Sequence, residues 1–489
     1  MDMCAGAGMM MLAVGDDFPN RKTWLCNALS VLRAQLKGSI NPDGSWPESV
    51  RYHNAALSRI SVFAKVLRNC TGEDWFSGAG LARMFRFTAE VQTPPNDWLG
   101  GISTPPFGDH VMSGGSEFSV FAPYLSDIAQ SDKPLADMLY FTWRRAGSPV
   151  PRLFSEEITL CRLLAEGGSY LPKEKARLTL PETVSYPDAG LYLFRNNALT
   201  ADESLLAVMS SPKPVGHGHL DQGSFMIWKN RIPIVADSGV EGYFDGTVNW
   251  HLCSYSHACT QFSAKQKAHG KANGGEINLT AGTYSLERGW LDTPRSSKVL
   301  AYRPEGPVKS IRIQIENTGG TGTHIRQIFF AADPEIYIIN DVIQNFSGTV
   351  LFSLPVAGKD SKAEGARVFS HGLSGVDLWT EFLGVPPCVS VERGRSAPMY
   401  PSENGSCELD YIRAVTDAKN GITAVLFPVK HGDQSFFSRP SENGWKIFVR
   451  GGALTLSRKA DGLLHADWNP QEEPVSYTHL RAHETREDL

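Results

Sequence analysis

The feature that most limits the fold of this chain is a change of hydrophobic period near Leu171. Before that point apolar residues recur every three or four positions, and after it they alternate every second position until about Arg458. The first spacing puts one apolar stripe on a helix, and the second puts one apolar face on a strand. Helices gathered in one part and strands in another imply separate α and β domains rather than βαβ units. At 489 residues the chain is long enough for two or three domains with substantial cores.

In the helical part, Leu25, Leu29, Leu32 and Leu36 form one stripe that ends at Gly38. Leu57, Ile60, Ala64 and Leu67 form a second, ending near Gly72. The spacing predicts further helices over 75–91, 117–130 and 135–145, with Pro134 starting the last and helical character reaching about Leu164. The stripes themselves are packing surfaces. Between them lie loops 41–48 and 104–110, rich in Pro, Gly and aromatics, the kind of connection that often carries function.

In the β part, strands are expected over 192–196, 205–209, 335–342, 349–354, 423–429 and 445–449. The clearest is 311–316, with Ile311, Ile313 and Ile315 on one face and Arg312, Gln314 and Glu316 on the other. This pattern implies a large antiparallel sandwich. Net charge is −5, from 47 basic and 52 acidic side chains without a dense basic block, which argues against nucleic acid or an anionic membrane surface as partner. The eight cysteines are scattered with no Cys-x-x-Cys pair, so neither a cysteine-type zinc module nor a disulfide framework can be read off. No apolar run reaches the roughly 18 residues of a membrane span. Residues 1–14 lack a cationic start and are followed by Asp16 and Asp17, so they do not read as a signal peptide.

One stretch of the β part concentrates reactive side chains. Gly216, His217, Gly218, His219, Leu220 and Asp221 lead into the apolar run 225–228, a polar turn at Lys229, Asn230 and Arg231, and a returning strand 232–235. On an extended chain His217 and His219 share a face, and the hairpin carries Asp237 back toward them. His257 comes next as a third imidazole. Two imidazoles and a carboxylate suit Zn²⁺, which takes four ligands of N, S or O type. A lone histidine in a sheet is usually a satisfied structural residue, but two on one face with a returning carboxylate point to a site. A cupin would need a glutamate a few residues after His-x-His, and Leu220 to Ser224 supply none. An amidohydrolase would need βα alternation around the motif, which is missing here. Cys253 and Cys259, flanking His257, read as ordinary buried thiols.

A helical domain feeding a sandwich that opens on Gly-His-Gly-His-x-Asp-x-Gly-Ser-Phe, at 216–225, resembles the heparinase II/III-like polysaccharide lyases, which include heparin, heparan sulfate and oligoalginate lyases. The specific match runs from about Tyr186 to Thr260. Residues 43–53, Asp-Gly-Ser-Trp-Pro-Glu-Ser-Val-Arg-Tyr-His, look like the family's loop leading into the helix that bears a catalytic tyrosine. The resemblance implies an α+β multidomain chain: an incomplete N-terminal (α/α) toroid over 1–170, a linker over 171–185 and a large antiparallel β-sandwich over 186–475. It implies Tyr52 as catalytic tyrosine and His217 as catalytic histidine, with His219, Asp237 and His257 holding a structural zinc. The family usually has His-Asn-Thr at the third ligand, where this chain has His257, Ala258 and Cys259. Arg51, Glu48, Trp46, Tyr243 and His110 are the candidate substrate contacts.

Lyases of this type break the bond to O4 of a uronic acid by β-elimination. The weakly acidic C5 proton requires a neutralised carboxylate, a base to take the proton and an acid to protonate the departing oxygen. A tyrosine does both if nearby positive charge, from Arg51 or His217, partly deprotonates it. A histidine on the opposite face serves when the C5 proton points the other way. The expected partner is an anionic polysaccharide met in the periplasm, at the cell envelope or outside the cell. The residue that neutralises the carboxylate sits, in relatives, on a helix well before the tyrosine, so the chain is expected to be an N-terminally truncated reading of a longer protein. Residues 476–489, with His479 and His483, resemble translated vector read-through and are set aside as a non-native tail. The alternatives are a non-catalytic carbohydrate-binding or cell-envelope protein with a zinc-braced sandwich, and a zinc hydrolase using His217, His219 and Asp237.

Overall fold

The computed structural model describes residues 2–112, 115–150, 170–172, 177–243, 247–264, 284–316, 322–373, 375–397, 399, 407–431 and 436–470. Four helices open the chain: α1 (Asp2–Ala13), α2 (Arg21–Gly38), α3 (Val50–Thr71) and α4 (Ala79–Glu90). The two expected stripes fall on α2 and α3, and Leu32, Leu57, Ile60, Ala64 and Leu67 are buried in one helical core. The apolar segment before Asp16 is itself a helix, with Ala5 and Leu12 in that core. Gly8 permits its close approach to α3, since a Cβ there would lie 2.4 Å from Cε2 of Phe63.

Two expected helices are shorter than their periodicity suggests. The one read over 75–91 starts at Ala79, because Asp74 Oδ1 accepts the Phe76 N–H and turns the chain before it. The one read over 117–130 breaks into 3-10 turns, Ser116–Val120 and Ala122–Tyr124, and a single α turn, Leu125–Ile128. Pro123 lacks the N–H that a continuous helix needs. Helix Lys133–Arg145 starts as expected, with Pro134 in its first turn and Asp132 accepting the Leu135 N–H at 2.9 Å. The helical character expected up to Leu164 falls partly on 151–169, and the tail on 476–489; both lie outside the described residues.

Beyond Thr183 the described elements are nearly all strands, in three antiparallel sheets. The main path of the first runs Thr183–Tyr186, Leu191–Asn196, Ser204–Met209, Phe225–Lys229, Ile232–Val235, Thr349–Val356, Cys407–Asp417, Cys388–Ser396. The second has eight strands and includes Val308–Glu316, whose Ile311, Ile313 and Ile315 point into the core between the two sheets. The sandwich carries a third layer as well. Strands Phe436–Ser441, Gly444–Val449, Gly452–Arg458 and Leu464–Asn469 form a separate four-stranded sheet against the outer face of the second. Ile336, Ile338 and Phe427 meet Ile447, Leu454 and Leu456 there.

The outer face of the first sheet is covered by the helical half. Val50, Phe87, Val91 and Phe107 pack on Leu193, Leu205, Ala207, Met226 and Trp228. With both faces buried, Ser204–Met209 has no polar face and reads as a continuous apolar run. Full burial of a side chain such as Val, Leu or Phe contributes about 1.5–3 kcal/mol, so this seam resists separation. Hydrogen bonds reinforce it: Arg195 Nη2 donates to the carbonyls of Glu90 and Gln92 at 2.6 and 2.9 Å. Main chain also crosses it, where Glu48 and Gly216 form a parallel bridge. No helix among the described residues is long and apolar enough to cross a membrane.

Candidate functional site

The bridge at Glu48 and Gly216 fixes the start of the histidine-rich stretch. Ser49 N–H donates to Gly216 O at 2.8 Å, and Gly216 N–H donates to Pro47 O at 3.0 Å. From Gly216 to Ser224 the chain is a loop, not the strand that the His-x-His spacing suggests. His217 has φ 54°, in the left-handed region, and Gly218 N–H closes a turn on Val215 O at 3.1 Å. The period-two rule therefore fails between the two histidines. The His217 side chain is 39% exposed, whereas that of His219 is fully buried. The hairpin beyond forms as expected, from Phe225–Lys229 and Ile232–Val235, with Asn230 and Arg231 both at positive φ in its tight turn.

His217 meets Tyr52, in the first turn of α3, across the seam. Their ring centroids are 3.5 Å apart and their planes differ by 4°. Direct stacking replaces the expected placement on opposite faces of a substrate, since no sugar ring fits between them. The Tyr52 hydroxyl lies 3.1 Å from that of Tyr243, which donates to Asp109 Oδ2 at 2.6 Å. Because Tyr243 spends its proton on Asp109, Tyr52 is the donor to Tyr243. Asp109 Oδ1 lies 3.0 Å from His219 Nε2, which donates to it. Burial pushes the Asp109 carboxyl up, but the hydrogen bonds from His219 and Tyr243 outweigh it and hold the group below the usual carboxylate range. Burial, followed by the Asp109 hydrogen bond, raises the Tyr243 hydroxyl well above its ordinary value and keeps it a donor.

The chain of contacts continues inward. His219 Nδ1 faces His257 Nε2 at 3.3 Å, and His257 Nδ1 lies 2.8 Å from Asp237 Oδ2. Burial pushes the His257 imidazole down, yet the adjacent Asp237 carboxylate prevails and raises it to about 9. Asp221 is buried in the same field, with an Oδ2 that has no hydrogen-bond partner. The group thus requires positive charge at its centre, which a proton on His257 or a metal ion supplies. His219, Asp237 and His257 present ligand atoms all within 4.8 Å of one another, a nitrogen and oxygen set that fits a metal ion. The side chains of all three are closed to solvent. A hydrolytic metal keeps an open water position, and His217, turned away onto Tyr52, is not in the group.

The other expected site residues are distributed unevenly. Glu48 lies in the site, its Oε1 3.7 Å from His217 Nδ1. Arg51 is exposed beside Tyr52. Trp46 packs partly buried on the helical core, and its backbone N–H donates to His53 Nδ1 at 2.9 Å. His110 is 2% exposed, with Nε2 on Thr104 Oγ1 at 2.6 Å, so its ring is not open to a substrate. Burial, with a smaller effect of Arg51, holds that ring down to about 3. Cys253 and Cys259 are buried thiols, and burial pushes Cys253 up to about 12.

Sequence reasoning missed Asp109, which joins the two halves of the site, and Asp221. It also missed Arg326, whose buried guanidinium pairs with Asp341 and donates to the carbonyls of Gly223 and Ala258 at 2.8 and 2.6 Å. Those carbonyls flank the loops that carry His219 and His257. The signals that could have found them were the loop 104–110, already marked by its composition, and the polar positions Arg326 and Asp341 inside apolar strands.

Among known proteins, residues 179–270 match the family described as "Heparinase II/III-like, C-terminal". A heparin-sulfate lyase of Bacteroides stercoris is 22% identical over 467 residues, covering 90% of this chain and 60% of that protein. The structure is similar to that of a heparinase III gene product with methylated lysines, at a TM-score of 0.64 and 16% identity, covering 95% of this chain and 64% of the other. It is also similar to a heparan sulfate lyase from Pedobacter heparinus, at a TM-score of 0.64 and 14% identity, covering 97% and 66%. The chain therefore spans somewhat under two thirds of the length of these relatives, and the structural likeness is one of fold.

Proposed function

We propose, from the match of residues 179–270 to the heparinase II/III-like family and the fold shared with a heparinase III, that this chain is a polysaccharide lyase acting by β-elimination on a glycan that contains uronic acid. The observation that carries the proposal is the stack of Tyr52 on His217 at the domain seam. In this mechanism Tyr52 first gives up its hydroxyl proton to solvent; its oxygen then takes the C5 proton, the C–H electron pair becomes the C4–C5 double bond, and the C4–O4 bond breaks. The departing O4 collects a proton, which the tyrosine returns. His217 lies flat against the ring and fixes its orientation. Arg51 adds positive charge on the exposed side. Both stacked rings address one side of the substrate.

Tyr243 and Asp109 hold the Tyr52 hydroxyl in place, and Glu48 orients His217. His219, Asp237 and His257 hold a zinc ion, which supplies a structural brace beneath the loop. The substrate is an anionic polysaccharide or oligosaccharide met outside the cytoplasm. Incubation with heparan sulfate, alginate and other uronates, followed by the ultraviolet absorbance of an unsaturated uronate, tests the assignment. Tyr52→Phe and His217→Asn are each expected to lower turnover by about 10²–10⁴-fold, the usual worth of acid–base catalysis. Asparagine tolerates the left-handed backbone of position 217, so that variant removes the imidazole and spares the loop. Undiminished rates in both variants would overturn the assignment. Glycan binding without any absorbance change favours a non-catalytic binding protein instead.

A further inference from the structure

A second cluster of metal-type side chains lies outside this site, in the eight-stranded sheet. Three neighbouring strands of that sheet are Arg367–Gly372, Val376–Leu383 and Ile422–Lys430. His371, Asp377 and His431 stand where their ends meet. His431 N–H donates to Gly375 O, just before the second of these strands, at 2.9 Å. The Asp377 side chain is 1% exposed. Its Oδ1 accepts the Gly372 N–H at 2.9 Å and faces His431 Nδ1 at 3.1 Å. Its Oδ2 forms an ion pair with the same nitrogen at 3.0 Å but accepts no hydrogen bond. His371 Nδ1 is 3.8 Å from Asp377 Oδ1, and the two imidazole centroids are 5.5 Å apart. Phe369 fixes the His371 ring edge-on at 4.6 Å.

We propose that His371, Asp377 and His431 bind a divalent cation of the zinc type, with water completing its coordination. Zinc bonds of about 2.0–2.1 Å in a tetrahedron put ligand atoms roughly 3.3–3.4 Å apart. From Asp377 Oδ1 the contacts to His431 Nδ1 and His371 Nδ1, 3.1 and 3.8 Å, bracket that spacing, and the three residues' ligand atoms lie within 4.8 Å of one another. Two imidazoles and one carboxylate are a set that first-row divalent metals accept. A plain ion pair between Asp377 and His431 leaves the His371 imidazole, 3.8 Å from the same carboxylate, without a bond to it. Unlike the buried group beneath the cleft, this one is reachable, since the His371 and His431 side chains are 46% and 61% exposed. The cation would clip the ends of three strands together.

Equilibrium dialysis of the whole chain against zinc, with metal analysis of the protein, tests the proposal after chelator treatment. His371→Ala and His431→Ala are each expected to bind one equivalent fewer than the parent, and zinc is expected to raise the melting temperature less in both. His465→Ala, which alters an exposed histidine paired with Asp467, is expected to match the parent. Equal stoichiometry in all chains would overturn the proposal, and so would an equal loss in His465→Ala. Lyase activity does not enter either readout.

Discussion

At the scale of single residues, the site turns on a carboxylate that joins its two halves. Asp109 accepts from Tyr243 with one oxygen and from His219 with the other. Asp109→Asn keeps the volume but leaves one acceptor oxygen for two donors. It is expected to lower kcat by about 10–100-fold with KM little changed, and to lower bound metal as well, as the loss of an outer-shell partner does. Steady-state kinetics beside metal analysis checks this, and an unaltered kcat would remove Asp109 from the positioning network. The grouping of Tyr52 with His217, and of His219 with Asp237 and His257, was legible because imidazoles, a phenol and a carboxylate in short motifs have few ordinary uses. Asp109 was not, although its loop was singled out. His110 was chosen from that loop for its chemistry, but which of two neighbours faces the site depends on tertiary contacts: Asp109 N–H donates to His217 O, while His110 O accepts from Val240 N–H.

At the scale of elements, the decisive piece is the loop from Gly216 to Ser224, which the spacing presented as a strand. It is held from the other domain by Gly108, at φ 72°, where a Cβ would lie 2.6 Å from His217 O. Gly108→Ala is expected to cost about 1–2 kcal/mol in backbone strain alone, more with the clash, and to reduce turnover beyond the fraction unfolded by displacing His217. Thermal melts and rates measured on the same preparation check this; parental turnover would separate the loop from catalysis. The long helices and strands were readable because their period is set by burial of one face. The segments that broke were governed by local competitors: the turn that Asp74 closes on Phe76 before Ala79, and Pro123 within 117–130. The third sheet was hidden for another reason. Alternation marks a strand without saying which sheet it joins, and only pairing and packing set Gly444–Val449 and its three partners apart from Ile422–Lys430, the preceding strand, which lies in the second sheet.

At the scale of the whole molecule, buried histidines set an acid limit. Burial holds His53 down to about 3, and burial together with Arg51 does the same to His110. In the unfolded chain both take up protons below about pH 6.5. Their contribution to stability is therefore complete above about 6.5 and is lost as pH falls from there toward 3, at about 1.4 kcal/mol per pH unit for each histidine. His53→Gln is expected to reduce proton uptake on unfolding at pH 5 by about one, which melting curves across pH 7 to 4 would show; an unchanged slope would contradict the burial assignment. The division into helical and β halves was visible in the sequence because the two periods barely overlap. The seam was not, since it is built from Val50, Phe87 and Phe107, which as single apolar residues carry no mark of the surface they cover. That seam has a mechanical consequence. Main-chain hydrogen bonds at Ser49 and Gly216 stitch the halves together one turn away from Tyr52 and beside His217, so any breathing of the two lobes pivots about this line. Tyr52 and His217 ride on that axle rather than on the jaws, so their stack is expected to persist while the outer parts of the lobes move apart.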